Sequence, residues 1–183
     1  MMIRQWLNTA GVLLAAMATA FALGGCAGVD PQAYATEKPQ LDLQRYFNGT
    51  LVGHGMFQSR GGKVERRFVV TIDAQWKGNV GVLDERFEWS DGEKQRRVWT
   101  ITKVDANTYT GTADDVVGTA QGKAYGNALY WTYTLALPVQ GRTWHVQFDD
   151  WMYLIDDQVM LNTAVMSKWG IRLGQVTLSF TRK

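Results

Sequence analysis

From about residue 50 onward, apolar and polar positions alternate with a period of two, and turn residues break the alternation at short intervals. That period marks strands with one buried face, and no long stretch there places apolar side chains at helical spacing. The clearest run puts Leu129, Trp131, Tyr133, Leu135 and Leu137 on one face. Phe68, Val70, Ile72 and Trp76 repeat it, as do Val176, Leu178 and Phe180. The pattern predicts strands over 50–58, 64–76, 80–90, 93–104, 108–113, 116–124, 128–138, 143–156, 158–168 and 174–182. Between them lie turn signals such as Gly61-Gly62, Asp91-Gly92 and Gln140-Gly141, which suit tight hairpins. One short helical turn precedes the strands: Asp42 is placed to cap it, with Leu43, Tyr46 and Phe47 on one face.

About ten consecutive antiparallel strands with short turns leave sticky edges unless the sheet closes on itself. The expected fold class is therefore all-β, an antiparallel up-and-down β-barrel of about ten strands, with Trp99, Trp131 and Phe148 facing inward. A β-sandwich is the alternative. No internal repeat points to a propeller.

The first residues read as an address. Arg4 gives a positive start, and Ala10 to Leu23 contains only Thr19 as a polar residue. Such a stretch is short for a membrane span, which needs about 20 apolar residues, and suits a signal segment. It ends in Leu23-Gly24-Gly25-Cys26, which resembles a bacterial lipobox. The resemblance implies cleavage before Cys26 and acylation of that residue. Ala27 is not the Asp that resembles an inner-membrane retention signal. The expected location is thus the inner leaflet of the outer membrane, with the body facing the periplasm. The expected boundaries are a signal segment at 1–25, a lipidated tether at 26–40 carrying Pro31 and Pro39, and a barrel at 41–183.

Composition narrows the function classes. A net charge of +2, from 19 basic against 17 acidic residues, is too balanced for a nucleic-acid footprint. One Cys and 2 His exclude a disulfide framework and the usual Cys/His zinc clusters, so neither metal nor cofactor is expected. His54 and His145 stand on different strands. There is no Gly-x-Ser-x-Gly elbow, and Gly53 and Gly55 lie inside a strand rather than in a phosphate loop. No catalytic residue is assigned.

Candidate chemistry comes from polar residues on apolar faces. Glu85 shares its face with Leu83, Phe87 and Trp89; Arg97 with Trp99 and Ile101; Asp150 with Phe148, Met152 and Leu154; Asn162 lies in the next strand. An unpaired buried charge costs several kcal/mol. Three readings stand: a structural network that fixes register, a set that orients a ligand's polar group in an apolar cavity, or a catalytic carboxylate pair. Gly118, Ala120, Gly122 and Ala124 form a small-residue stripe, which either leaves room for a ligand or admits neighbouring indoles. On the outer face, Trp151, Tyr153 and Ile155 need a cover, whether the 41–47 segment, a protein partner or the membrane. Lys63, Arg66 and Arg67 read as a solvated basic face.

The chain resembles a family of bacterial lipoproteins known as domain of unknown function 3833, with a calycin-like barrel related to the lipocalins. The resemblance is carried by Tyr46-Phe47-Asn48-Gly49, Leu83-Asp84-Glu85-Arg86-Phe87, Arg97-Val98-Trp99 and Asp115-Val116-Val117-Gly118-Thr119-Ala120. The most distinctive piece is Asp149-Asp150-Trp151-Met152-Tyr153-Leu154, followed by Asn162, Met166, Lys168 and Gly170. It assigns no activity to any residue. The expected function is an anchored envelope lipoprotein that binds or carries an apolar ligand, an acyl chain such as a fatty acid or phospholipid. The pocket would use Glu85, Arg97, Trp99, Gly118, Ala120, Gly122, Trp131, Asp150 and Asn162. The alternative is a ligand-free structural lipoprotein that meets an envelope partner through Trp151, Tyr153 and Ile155. An enzyme of isomerase or lyase type ranks third.

Overall fold

The computed structural model describes residues 28–183; the expected signal segment 1–25 and Cys26 lie outside the described residues. The alternation resolves into ten strands: β1 (Gly49–Ser59), β2 (Val64–Lys77), β3 (Val80–Trp89), β4 (Lys94–Lys103), β5 (Thr108–Thr112), β6 (Ala120–Tyr125), β7 (Ala128–Val139), β8 (Arg142–Leu154), β9 (Val159–Lys168) and β10 (Ile171–Arg182). Each pairs antiparallel with its successor, and β1 also pairs with β10, so the sheet closes into a barrel. Gly53 of β1 sits opposite Val70 on one side and Phe180 on the other. That closure rules out the sandwich and gives every strand two neighbours, which removes the edges that ten strands would otherwise leave.

One strand starts later than its pattern predicts. The run expected over 116–124 makes one isolated bridge, Val116 to Leu135, and becomes a continuous strand only at Ala120. Residues 113–119 form a loop instead, in which Gly118 is exposed and takes φ 73. The loop follows β7: the Val117 N–H donates to the Thr134 carbonyl at 2.8 Å, and the Ala136 N–H to the Asp115 carbonyl at 2.8 Å. Gly118 therefore belongs to no interior stripe, which corrects its place in the expected pocket. Ala120, Gly122 and Ala124 do face inward and are buried. The Trp131 indole occupies the space where a Cβ on Gly122 would stand. The small residues thus admit an indole; they do not hold open the ligand space.

One barrel end is plugged. Helix α1 (Leu43–Tyr46) is capped by Asp42, whose Oδ1 accepts from the backbone N–H of Gln44 at 2.8 Å and of Arg45 at 3.3 Å. The Trp76 Nε1–H donates to the Phe47 carbonyl at 2.7 Å, and the Tyr46 hydroxyl donates to the carbonyls of Gln158 and Phe180 at 3.2 and 3.3 Å. Leu43, Tyr46 and Phe47 are buried, so the turn is pinned by its apolar face and by hydrogen bonds to the rim. On the outside, a 3-10 turn at Pro31–Tyr34 lies against the barrel. The Tyr34 ring packs 5.6 Å from Trp151 and 5.4 Å from Tyr153. The outward aromatic row is covered by this turn, while the 41–47 segment serves as the plug. Ile155 stays 51% exposed.

Candidate functional site: an apolar calyx

A cavity of about 540 Å³ extends from the plug toward the opposite, open end. Leu43 and Phe47 form its floor, and Phe68, Phe87, Trp99, Trp131, Phe148 and Leu178 line its walls. Its upper lining includes exposed residues, Glu93, Pro138 and Val139, so it opens to solvent there. The aromatic walls are braced on one another: Tyr133 stacks on Phe148 at 5.0 Å and meets the Trp99 ring edge-on at 5.3 Å, and Trp99 meets Trp131 at 5.7 Å. Such pairs favour offset and edge-on geometry and hold the rings in place.

The expected polar residues lie where the alternation put them. Glu85, Arg97, Asp150 and Asn162 line the cavity with Trp99 and Trp131, while Gly122 sits behind the Trp131 indole and Ala120 is buried outside the cavity lining. Glu85 and Arg97 are register partners on β3 and β4, and their charged groups are 4.0 Å apart. Arg97 is engaged more closely by Asp115: its Nε–H donates to both carboxylate oxygens at 3.0 Å and its Nη2–H to Oδ2 at 2.7 Å. Asn162 donates from Nδ2 to the Trp151 carbonyl at 3.1 Å. Asp150 accepts from the Tyr133 hydroxyl through Oδ2 at 3.4 Å, and its Oδ1 has no hydrogen-bond partner among the described residues.

Burial dominates the electrostatics. Desolvation pushes the Asp150 carboxyl up to about 8, against a smaller opposing pull from Tyr133 and Arg97. Desolvation likewise pushes Glu85 up to about 7, with Arg97 opposing. The Tyr133 hydroxyl is raised for the same reason, and lies near enough to Arg97, Glu85 and Asp115 to feel their charges. At neutral pH the interior therefore holds Arg97 between Asp115 and a partly ionised Glu85, beside a largely protonated Asp150.

Three contributors escape the alternation argument. Asp115 lies in the 113–119 loop, where strand parity says nothing. Tyr133 belongs to the five-residue apolar face of 129–137, although its hydroxyl was a readable signal. Arg66 belongs to a run read as solvated, yet it lines the mouth: its guanidinium lies 4.1 Å over the Trp89 ring and pairs with Asp91 at 2.8 Å and Glu93 at 2.7 Å.

The fold and the cavity together define a ten-stranded up-and-down barrel plugged at one end and open at the other, in the manner of lipocalin-like folds. In sequence the chain belongs to the family described as "Protein of unknown function (DUF3833)", matched over residues 20–182. No curated protein matches it in sequence. Among solved structures it is similar to an S-type phycobiliprotein lyase from Guillardia theta, with a TM-score of 0.58 and 6% identity, covering 78% of this chain and 93% of that one. It is also similar to a protein of unknown function from the DUF3598 family of Nostoc punctiforme, with a TM-score of 0.59 and 16% identity, covering 86% of this chain and 53% of that one. At these identities the likeness is one of fold.

Proposed function

We propose that the barrel binds or carries one small, largely apolar molecule in its calyx. The observation that carries this reading is the cavity itself: about 540 Å³, floored and walled by aromatic and aliphatic side chains. That volume falls within the range of about 300–1,000 Å³ typical of small-molecule sites. A barrel acting only as a scaffold has no use for such a space, and empty apolar volume destabilises a core. The likeness to a phycobiliprotein lyase is one of fold and is compatible with this use of the barrel.

The polar groups narrow the ligand. The cations lining the cavity, Arg66 and Arg97, are already paired with carboxylates. Asp150 is largely protonated near neutrality and has an oxygen without a partner. Such an interior suits a neutral polar group, an ester, alcohol or amide, and gives a free carboxylate no counter-charge. An acyl chain in esterified form fits this description better than a free fatty acid. The same reading keeps Cys26 as a site of lipid attachment holding the protein at the outer membrane; intact-mass analysis of wild type and Cys26→Ser should differ by the acyl groups, and no acyl mass in wild type would remove the anchor. For the ligand, displacement of a neutral apolar fluorophore by methyl palmitate, palmityl alcohol and palmitic acid is the direct test. Displacement by the neutral pair supports the reading, and no binding by any of them contradicts it.

A further inference from the structure

The rim around the cavity mouth is not uniform. The tips of the β7–β8 and β9–β10 hairpins carry exposed apolar side chains: Val139 at 41%, Trp144 at 37%, Trp169 at 84% and Ile171 at 55%. The two tips adjoin, because the Lys168 ammonium lies 4.9 Å from the Trp144 ring and 4.7 Å from that of Trp169. Both are basic: Arg142, Lys168 and Arg172 fall within 138–145 and 167–173, and neither stretch contains Asp or Glu. The acidic groups of the rim lie elsewhere: Asp91 and Glu93 on the β3–β4 tip beside Arg66, Asp114 and Asp115 on the 113–119 loop, and Glu65 on the β1–β2 tip, paired with Lys63.

Trp169 is the informative residue. It occupies a left-handed turn position, φ 53, which a bulky side chain disfavours and which Asn or Gly takes readily. It is also the most exposed of the large apolar residues described. Neither folding nor solubility is served by an indole there. Tryptophan flanked by Lys and Arg is, however, the composition that settles at the boundary between lipid headgroups and acyl chains, with the indole in the interface and the cations on anionic phosphates. The patch continues into the cavity through Pro138 and Val139, which belong to both tip and mouth.

We propose that the β7–β8 and β9–β10 tips form a docking surface for an anionic phospholipid bilayer, which brings one side of the mouth against the membrane. The proposal does not depend on acylation of Cys26 and holds whether or not the cavity is filled. Each basic residue near such a surface contributes about fivefold in partitioning, and the attraction weakens with salt.

The test uses the chain from residue 26 carrying Cys26→Ser, so that neither the apolar 10–23 segment nor an acyl group contributes, with vesicles of phosphatidylglycerol and phosphatidylcholine or of phosphatidylcholine alone. Flotation should recover the protein with the anionic vesicles at low salt and lose it with the neutral ones. Trp169→Asn, which suits the turn and keeps the barrel intact, should weaken binding severalfold and abolish the blue shift of the exposed indole. Lys168→Glu with Arg172→Glu should weaken it by at least about 25-fold, the product of two fivefold losses. Binding equal for both vesicle types, no binding to either, or binding indifferent to these substitutions overturns the proposal. So does concentration-dependent dimerisation that Trp169→Asn abolishes, since the patch would then belong to a second copy.

Discussion

Arg97 and Asp115 join two parts of the barrel wall that no strand connects. β5 pairs with β4 only from Thr100 onward, and β6 pairs with β7 only as far as Thr132. Above that level the 113–119 loop lies along β7, and the forked contact from Arg97 on β4 to Asp115, at 2.7 to 3.0 Å, spans what remains. The side chains are 12% and 28% exposed, so the pair is shielded without being fully dry.

Asp115→Asn should therefore loosen this seam. Arg97 keeps its charge and loses its strongest acceptor, leaving Glu85 at 4.0 Å as the remaining counter-ion. The expected cost is about 1–3 kcal/mol, below that of a fully buried pair because water reaches Asp115. Urea denaturation measures it, and amide exchange should rise in 113–119 before it rises elsewhere.

Stability should also fall as pH rises through neutrality. The Asp150 and Glu85 carboxyls are raised to about 8 and about 7, from 3.8 and 4.5. Between those limits the folded state holds more protons than the unfolded one, so their contribution is complete below about pH 4 and is lost on passing 7 to 8. Asp73, Asp84 and Asp91 are lowered, each first by its arginine partner, and act in the opposite sense at acid pH. They sit at the surface, where such pairs contribute little. The maximum should lie on the acid side of neutrality, and Asp150→Asn should flatten the decline between about pH 4 and 8 in thermal melts.

Much of this was legible in the chain. Leu83, Glu85, Phe87 and Trp89 share an inward face because a strand's parity is fixed once one residue is placed, and the same rule carried Arg97 and Asp150 to the cavity. The cap at Asp42 was legible because it depends on neighbours in sequence. Parity could not reach Asp115, whose position depends on a loop conformation, nor show that Gly118 lies outside the sheet that Gly122 belongs to. It also could not decide what Gly122 makes room for, since that depends on the rotamer of Trp131 on the neighbouring strand. The cover over Trp151 and Tyr153 depended on where Tyr34 folds back, a long-range contact with no periodic signal.

Gly122→Val tests the packing between β6 and β7. A side chain there displaces the Trp131 indole, which contacts Trp99 at 5.7 Å and lines the cavity. Overpacking of this kind costs about 1–3 kcal/mol. The variant should unfold at lower denaturant and lose near-ultraviolet dichroism from the displaced rings.

Leu43→Ala probes the plug. Leu43 is 1% exposed and forms part of the cavity floor, so truncation should cost about 2–5 kcal/mol and deepen the calyx. Ligands with a longer apolar chain should gain affinity relative to shorter ones, read by competition with a fluorescent probe.

The calyx is expected to take an apolar molecule with a neutral polar end. Trp89, Trp99 and Trp131 all line the cavity, so their emission reports its contents directly. The deciding measurement is native mass spectrometry of the protein purified from its own cells, with tryptophan quenching on reloading of whatever is released. A bound small molecule of one chemical class that lacks a free carboxylate, quenching saturably at one per barrel and bound more weakly by Asp150→Ala, is the predicted result. A barrel that arrives empty and is quenched by no member of a panel of esters, alcohols and acids would contradict a ligand-binding calyx.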